Sequence, residues 1–295
     1  MKFYTKILRS ELSMVNRISD ICPLDKSRFA MDIIGRSLAM RHGLGTKYKN
    51  VEHDRLNAKI IMPKEIKRDG IILYLHGGGY VLGGMDYAKG FGTLIASQTG
   101  SKVCCLAYGL APEHRFPSAL TEAYDTYLFL LESGFAPDKI FLCGESAGGG
   151  LIYALALKLR AESRPLPRGI IAFSPWCDLT LSGSSYNTNR AKDPSMTEKR
   201  LRFYAESYAD NFNDPYVSPL FGDLTGLPPS LILAGGHEIM LSDSAELHKR
   251  LTACGCVSSL HIAPEMWHVY LMYNIKEAED GYKKINEFME GLSHD

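Results

Sequence analysis

No apolar run of about 18 residues occurs anywhere in the chain, which excludes a membrane-spanning helix from this sequence. The start, Met1-Lys2-Phe3-Tyr4-Thr5-Lys6, is soon followed by Arg9 and Glu11. With no uninterrupted apolar segment behind it, a signal peptide is not expected. Excess charge is missing too. Lys+Arg and Asp+Glu stand at 33 each, so there is no bulk electrostatic case for a nucleic acid or an anionic membrane as partner. Seven cysteines are present, an odd number, and Cys254-Gly255-Cys256 lacks metal-ligand spacing and a second cluster. Reduced thiols of a cytoplasmic protein, with no metal, are the expectation. Internal repeats and low-complexity stretches are also absent. What remains is a chain of 295 residues, 45% of them apolar, enough to bury one large core.

The stretch around Ser146 organises that core. An apolar run over 139–143 leads into Gly144-Glu145-Ser146-Ala147-Gly148, and a helical run over 151–159 leads out. Gly-x-Ser-x-Gly between a strand and a helix is the pattern of a nucleophile elbow. The turn forces the serine into strained backbone angles, and flanking glycines let strand and helix approach closely. The following helix aims its N-terminal N–H groups at charge developing on the serine's substrate. The competing reading is a plain small-residue turn.

Before the elbow, Leu8, Leu12, Val15 and Ile18 recur at helical spacing, as do Phe29, Ile33, Ile34 and Leu38 after Pro23. Strands are expected at 51–55, Ala58–Met62, Ile71–Leu75 and 102–107, with helices over 87–99 and 118–133. After it come a strand at Gly169–Phe173, a polar and aromatic stretch over 183–215 with a helix at 197–208, a strand at Ser230–Gly235, a helix over 242–253, a strand at 257–263 and a last helix over 273–291. The alternation predicts an α/β fold with a mostly parallel, doubly wound central sheet. Residues 46–182 and 216–295 form the catalytic body; 1–45 and 183–215 form a helical cap.

A serine needs a general base, and the base needs an orienting carboxylate. In hydrolases built on this elbow the order along the chain is serine, acid, histidine. Of the nine histidines, His42, His53, His76 and His114 come too early. His248 lies in a helical run, His261 in a strand, and His294 at the terminus. His268 follows the last strand in a loop and is the expected base. For the acid, Glu238 and Asp243 both follow the preceding strand. Glu238 lies closer to the strand end, whereas Asp243 has an alternative role as a first-turn carboxylate of a helix. The oxyanion requires preorganised N–H donors, and Gly77-Gly78-Gly79 with the N–H of Ala147 can supply them. A phosphate cradle fits poorly, since no Gly-Lys-[Ser/Thr] follows.

Three motifs now stand in order: His-Gly-Gly-Gly at 76–79, Gly-Glu-Ser-Ala-Gly-Gly at 144–149 and Trp-His at 267–268. Together with 108–117, 174–180 and 216–228, they resemble segments of the bacterial hormone-sensitive-lipase-like esterases, an α/β-hydrolase family, over about residues 50 to 292. The resemblance implies Ser146 as nucleophile, His268 as base, Gly78, Gly79 and Ala147 as oxyanion donors, a cap over the site, and cofactor-free hydrolysis of short-chain carboxylic esters. Its partner is then a small-molecule ester, and in such enzymes two copies often pair as a homodimer. Departures are Glu145, where many members have Asp, Gly109 in place of the usual arginine, and His237 where an Asp often stands, which leaves Glu238 as the matching carboxylate. Tyr80, Tyr204, Tyr208 and Trp267 are candidates for lining the acyl pocket; the alternative is packing between cap and body. Sugar deacetylation or amide hydrolysis would use the same machinery. A non-catalytic ligand receptor, as in the gibberellin receptors that resemble this family, would lack the catalytic histidine.

Overall fold

The computed structural model describes residues 3–19 and 22–293. His294 lies outside them, and the side chains of Val15 and Ile18 are likewise outside the description. Eight strands form one sheet in the order β1-β2-β4-β3-β5-β6-β7-β8: β1 Lys47–Asn50, β2 Ala58–Met62, β3 Ile71–Leu75, β4 Lys102–Leu106, β5 Ile140–Glu145, β6 Gly169–Phe173, β7 Ser230–Gly235 and β8 Ser258–Ala263. β2 is antiparallel to both neighbours; all strands from β4 to β8 run parallel. The α/β architecture with a mostly parallel central sheet, expected from the alternation, is the one observed.

β3, β5, β6 and β7 are buried along their whole length. This is why they read as continuous apolar runs rather than as alternations: helices cover both faces of a parallel sheet. Ile71, Leu73 and Leu75 of β3 point into one core with α4 (Ser118–Glu132), α5 (Ala147–Ala161) and α8 (Leu241–Ala253). Ile72 and Tyr74 point into the other, with α3 (Met85–Thr99) and α9 (Lys276–Ser293).

The first expected strand differs. β1 is the polar segment Lys47–Asn50, exposed throughout, and 51–57 is the turn of a hairpin in which Val51 N–H still donates to Ala58 O at 3.0 Å. His53-Asp54-Arg55 favours a turn over a strand, and charged residues suit an edge strand that must not pair with another chain.

Two features position the site. The register sets Leu75 against Gly144, Glu145 against Phe173, and Gly235 against Ala263, so the carboxyl ends of these strands end at one edge. And β4 and β5 lie on opposite sides of β3, so the chain reverses direction across the sheet between β3 and β5. Crevices for ligands open at such switch points, outside the carboxyl ends. The segments over which a cap is expected, 1–45 and 183–215, hold α1 (Phe3–Ser19), α2 (Leu24–His42), the short α6 (Ser185–Thr188) and α7 (Glu198–Tyr208). Thr197 caps α7, its side chain accepting from Arg200 N–H. No helix among the described residues is long and apolar enough to cross a membrane.

Candidate active site

Ser146 follows β5 directly and precedes the first residue of α5, at φ 55 and ψ −123. A non-glycine residue in this region is strained and persists only where its surroundings hold it. They do: Ser146 N–H donates to Phe173 O at 2.9 Å, and its carbonyl accepts from Trp176 N at 2.9 Å and Gly150 N at 3.0 Å. A side chain at Gly148 would come within 2.0 Å of Leu75 O, so the helix can start this close to the sheet only with glycine there. Ser146 Oγ is buried and has no hydrogen-bond partner among the described residues.

His268 stands in the loop after β8, 6% exposed, with Nδ1 3.7 Å from Glu238 Oε2. Neither ring nitrogen makes a hydrogen bond among the described residues. Such bonds are commonly loose in the free state of hydrolases and tighten around substrate. Of the two candidate acids, Glu238 is the one beside the imidazole. Asp243, in the first turn of α8, turns to the loop after β6: its Oδ2 accepts from Cys177 N at 3.0 Å and Asp178 N at 2.9 Å. Glu238 is fully buried, with Oε2 accepting from Ser174 Oγ at 2.5 Å and from Gly235 N at 3.1 Å. His237 faces outward instead, its Nδ1 3.3 Å from Arg9.

The loop after β3 carries the three glycines. Gly77 N–H is committed to Glu145 Oε1 at 2.6 Å. Those of Gly78 and Gly79 make no hydrogen bond among the described residues. Gly79 sits at φ +63, and a Cβ there would strike the Tyr204 ring at 2.2 Å, so this turn under the cap demands glycine. His76 braces the loop from below. It stacks on Tyr108 at 4.2 Å, and its Nδ1 is 2.7 Å from Gly77 O. Burial pulls its pKa down to about 4, which keeps the ring neutral, so Nδ1–H donates to that carbonyl.

Glu145, noted in the sequence only as a departure, spans from the elbow to the glycine loop. Its carboxyl also accepts from Tyr74 OH at 2.8 Å and Tyr87 OH at 3.0 Å. Burial pushes its pKa up from 4.5 to about 8, against the pull of these donors. Between those two pH values the folded chain keeps a proton that the unfolded chain has released, so this group's contribution to stability is full below 4.5 and is lost as pH rises to 8. Glu145→Gln should flatten the fall of Tm over that window. A fall as steep as in the wild type, measured by scanning calorimetry, would show that Glu145 is not its source.

Ser146, His268 and Gly78 open onto one cavity of about 190 Å³, walled by Leu12 and Asn16 of α1, Met31 and Ile34 of α2, Met196, Tyr204, Met272 and Tyr273. A second cavity of about 230 Å³ adjoins it, sharing Leu82, Arg200 and Tyr204. The aromatic candidates divide. Tyr204 lines the cavity. Tyr80 and Tyr208 do not: they stack on each other at 3.7 Å inside the core, and Trp267 is fully buried, edge-on to Tyr273 at 5.7 Å. For these three, packing is the observed role. Aromatic content carries no information on whether a ring faces a core or a cavity; Tyr80, at φ 63, turns inward. Conversely, Met31, Ile34, Met196 and Met272 look in sequence like any core residues. Ser174 was visible only as part of a motif with no chemistry attached.

Comparison with known proteins agrees with this fold. The family described as an alpha/beta hydrolase fold matches residues 72–272. An acetyl-hydrolase of Streptomyces hygroscopicus is 37% identical over 70% of this chain and 71% of its own length. An esterase of Acinetobacter venetianus is 35% identical over 76% of each. The crystal structure of an esterase from the bacterial hormone-sensitive lipase family superposes with a TM-score of 0.89 at 32% identity, covering 96% of this chain and 97% of that one. That of EstE5 soaked with p-nitrophenyl butyrate gives 0.87 at 32%, covering 93% and 92%. The chain therefore belongs to the α/β-hydrolase family, among its hormone-sensitive-lipase-like esterases, and is a carboxylic ester hydrolase.

Proposed function

We propose that the chain hydrolyses short-chain carboxylic esters through an acyl-enzyme on Ser146, with His268 as base and Glu238 as orienting acid. The observation that carries this is the meeting, at one cavity, of a strained serine with no hydrogen-bond partner among the described residues and a histidine paired to a buried glutamate. Ser146 Oγ attacks the carbonyl carbon as its proton passes to His268. The oxyanion is met by the N–H groups of Gly78, Gly79 and Ala147, the last at the positive end of α5. The bond to the alcohol breaks as His268 returns the proton to the leaving oxygen. Water, deprotonated by His268, then attacks the acyl carbon, and Ser146 Oγ leaves with the proton.

The cavity lies below the ~300–1,000 Å³ typical of drug-sized ligands, and methionines and Tyr204 line it. That supports acyl chains from acetyl to hexanoyl. In a p-nitrophenyl ester series kcat/KM should peak within that range, and a fluorophosphonate should label Ser146. A peak at decanoate or longer, or no label, would overturn the reading. The Streptomyces relative's name, acetyl-hydrolase, favours acetyl esters as a second emphasis; acetylated sugars assayed against alkyl acetates separate the two. Seven free cysteines support a reducing, cytoplasmic setting.

A further inference from the structure

Ser174 follows β6 and is fully buried, yet none of the chemistry above uses it. Its hydroxyl is placed between two other elements. Oγ donates to Glu238 Oε2 at 2.5 Å and accepts from Val269 N–H at 3.0 Å, while its own N–H donates to Leu233 O at 2.7 Å. One side chain thus joins the end of β6 to the acid after β7 and to the residue next to His268 after β8. Ser174 lies at φ 47 and Val269 at φ 52. A β-branched residue in the left-handed region is a genuine outlier, and such strain survives only where contacts over-determine it. The bond from Val269 N–H to Ser174 Oγ is such a contact, one residue from His268.

We propose that Ser174 is a positioning residue: its hydroxyl sets the Glu238 carboxylate and the His268 loop in mutual register. The proposal rests on the triad reading given above. Removing the hydroxyl leaves Val269 N–H buried without an acceptor and leaves Glu238 Oε2 with Gly235 N–H as its remaining donor among the described contacts. A carboxylate with one donor fewer holds more charge toward the imidazole, so the histidinium is favoured and the acid limb of kcat/KM moves to higher pH. The other titratable and charged groups around the pair include Glu145 from β5, Tyr87 from α3, Arg200 and Tyr204 from α7, Asp193 before it, Tyr270 and Tyr273 beyond β8, and His237, which adjoins Glu238 and turns to Arg9 of α1. Burial holds Tyr87, Tyr270 and Tyr273 above the ordinary tyrosine range, so these three stay neutral through the acid limb, whereas Glu145, pushed up to about 8, is common to wild type and variants and cancels in their comparison.

The test compares Ser174→Ala and Ser174→Gly with the wild type on p-nitrophenyl butyrate, each rate normalised to fluorophosphonate-titrated sites. Glycine removes the hydroxyl while relieving the φ strain, which guards against a variant that simply unfolds. A hydrogen bond to a charged group is worth about 10- to 100-fold. The expected result is a kcat lower by that factor in both variants, KM within about twofold, and the acid limb moved upward. Wild-type kcat with an unmoved limb overturns the proposal. So does a loss of kcat that is uniform across pH, the mark of a merely structural contact. A wild type that hydrolyses no ester would instead sink the triad reading itself, which keeps the two failures apart.

Discussion

Ser146→Ala is expected to lower kcat on short p-nitrophenyl esters by about 10⁴-fold or more, in line with loss of the nucleophile in other serine hydrolases. The variant should nevertheless be at least as stable as the wild type. Ser146 Oγ is buried without a hydrogen-bond partner among the described residues. Replacing an unpaired buried hydroxyl by hydrogen removes a desolvated polar group and leaves no orphaned partner behind. The backbone strain at φ 55 is the same for alanine as for serine, so it contributes little to the difference. Steady-state kinetics and a thermal melt on the same preparation check both halves. Activity retained at wild-type level would end the acyl-enzyme mechanism; activity lost together with a large fall in Tm would mean that the serine's role is structural. KM should change little, because Met31, Ile34, Met196 and Tyr204 still wall the cavity.

The second large effect separates the two carboxylates. Glu238→Gln keeps the side chain's shape but takes away the charge that orients His268, and loss of the equivalent acid elsewhere costs about 10⁴-fold in kcat. Glu238→Ala should be as slow and also less stable, since Ser174 Oγ–H and Gly235 N–H lose a buried acceptor. Asp243→Asn should keep kcat within about tenfold of wild type, because the amide oxygen can still accept from Cys177 and Asp178 N–H and the group does not face the imidazole. Burial and the nearby Asp178 already raise the Asp243 pKa well above the carboxylate range. Measured kcat values in the reverse order would make Asp243 the acid.

Much of the site could be read without coordinates because its signals are local. The elbow is a contiguous pattern whose glycines answer a steric need at Gly148, and the glycine loop answers one at Gly79. The order of serine, acid and histidine along the chain left His268 with few competitors. Strands β3, β5, β6 and β7 were legible as unbroken apolar runs because both sheet faces are covered. Legibility failed where a side chain's direction mattered. The rings of Tyr80, Tyr204, Tyr208 and Trp267 are equivalent in sequence, yet one lines the cavity and three pack in the core. The exposed edge strand β1 was missed because, solvated along its length, it carries no hydrophobic period to read.

By itself, the sequence determined the alternating architecture, and it singled out Ser146 and His268 as candidate nucleophile and base and the segments from which a cap could be drawn. All of these follow from short-range sterics, from periodicity and from order along the chain. Only the tertiary structure set Glu238 rather than Asp243 beside His268, assigned Glu145 to the glycine loop, and joined Ser174 to Glu238 and Val269. Those pairings span 64 and 95 residues for Ser174 and 68 for Glu145 and Gly77. They are set by which strand ends the sheet register brings together, and no local pattern encodes that.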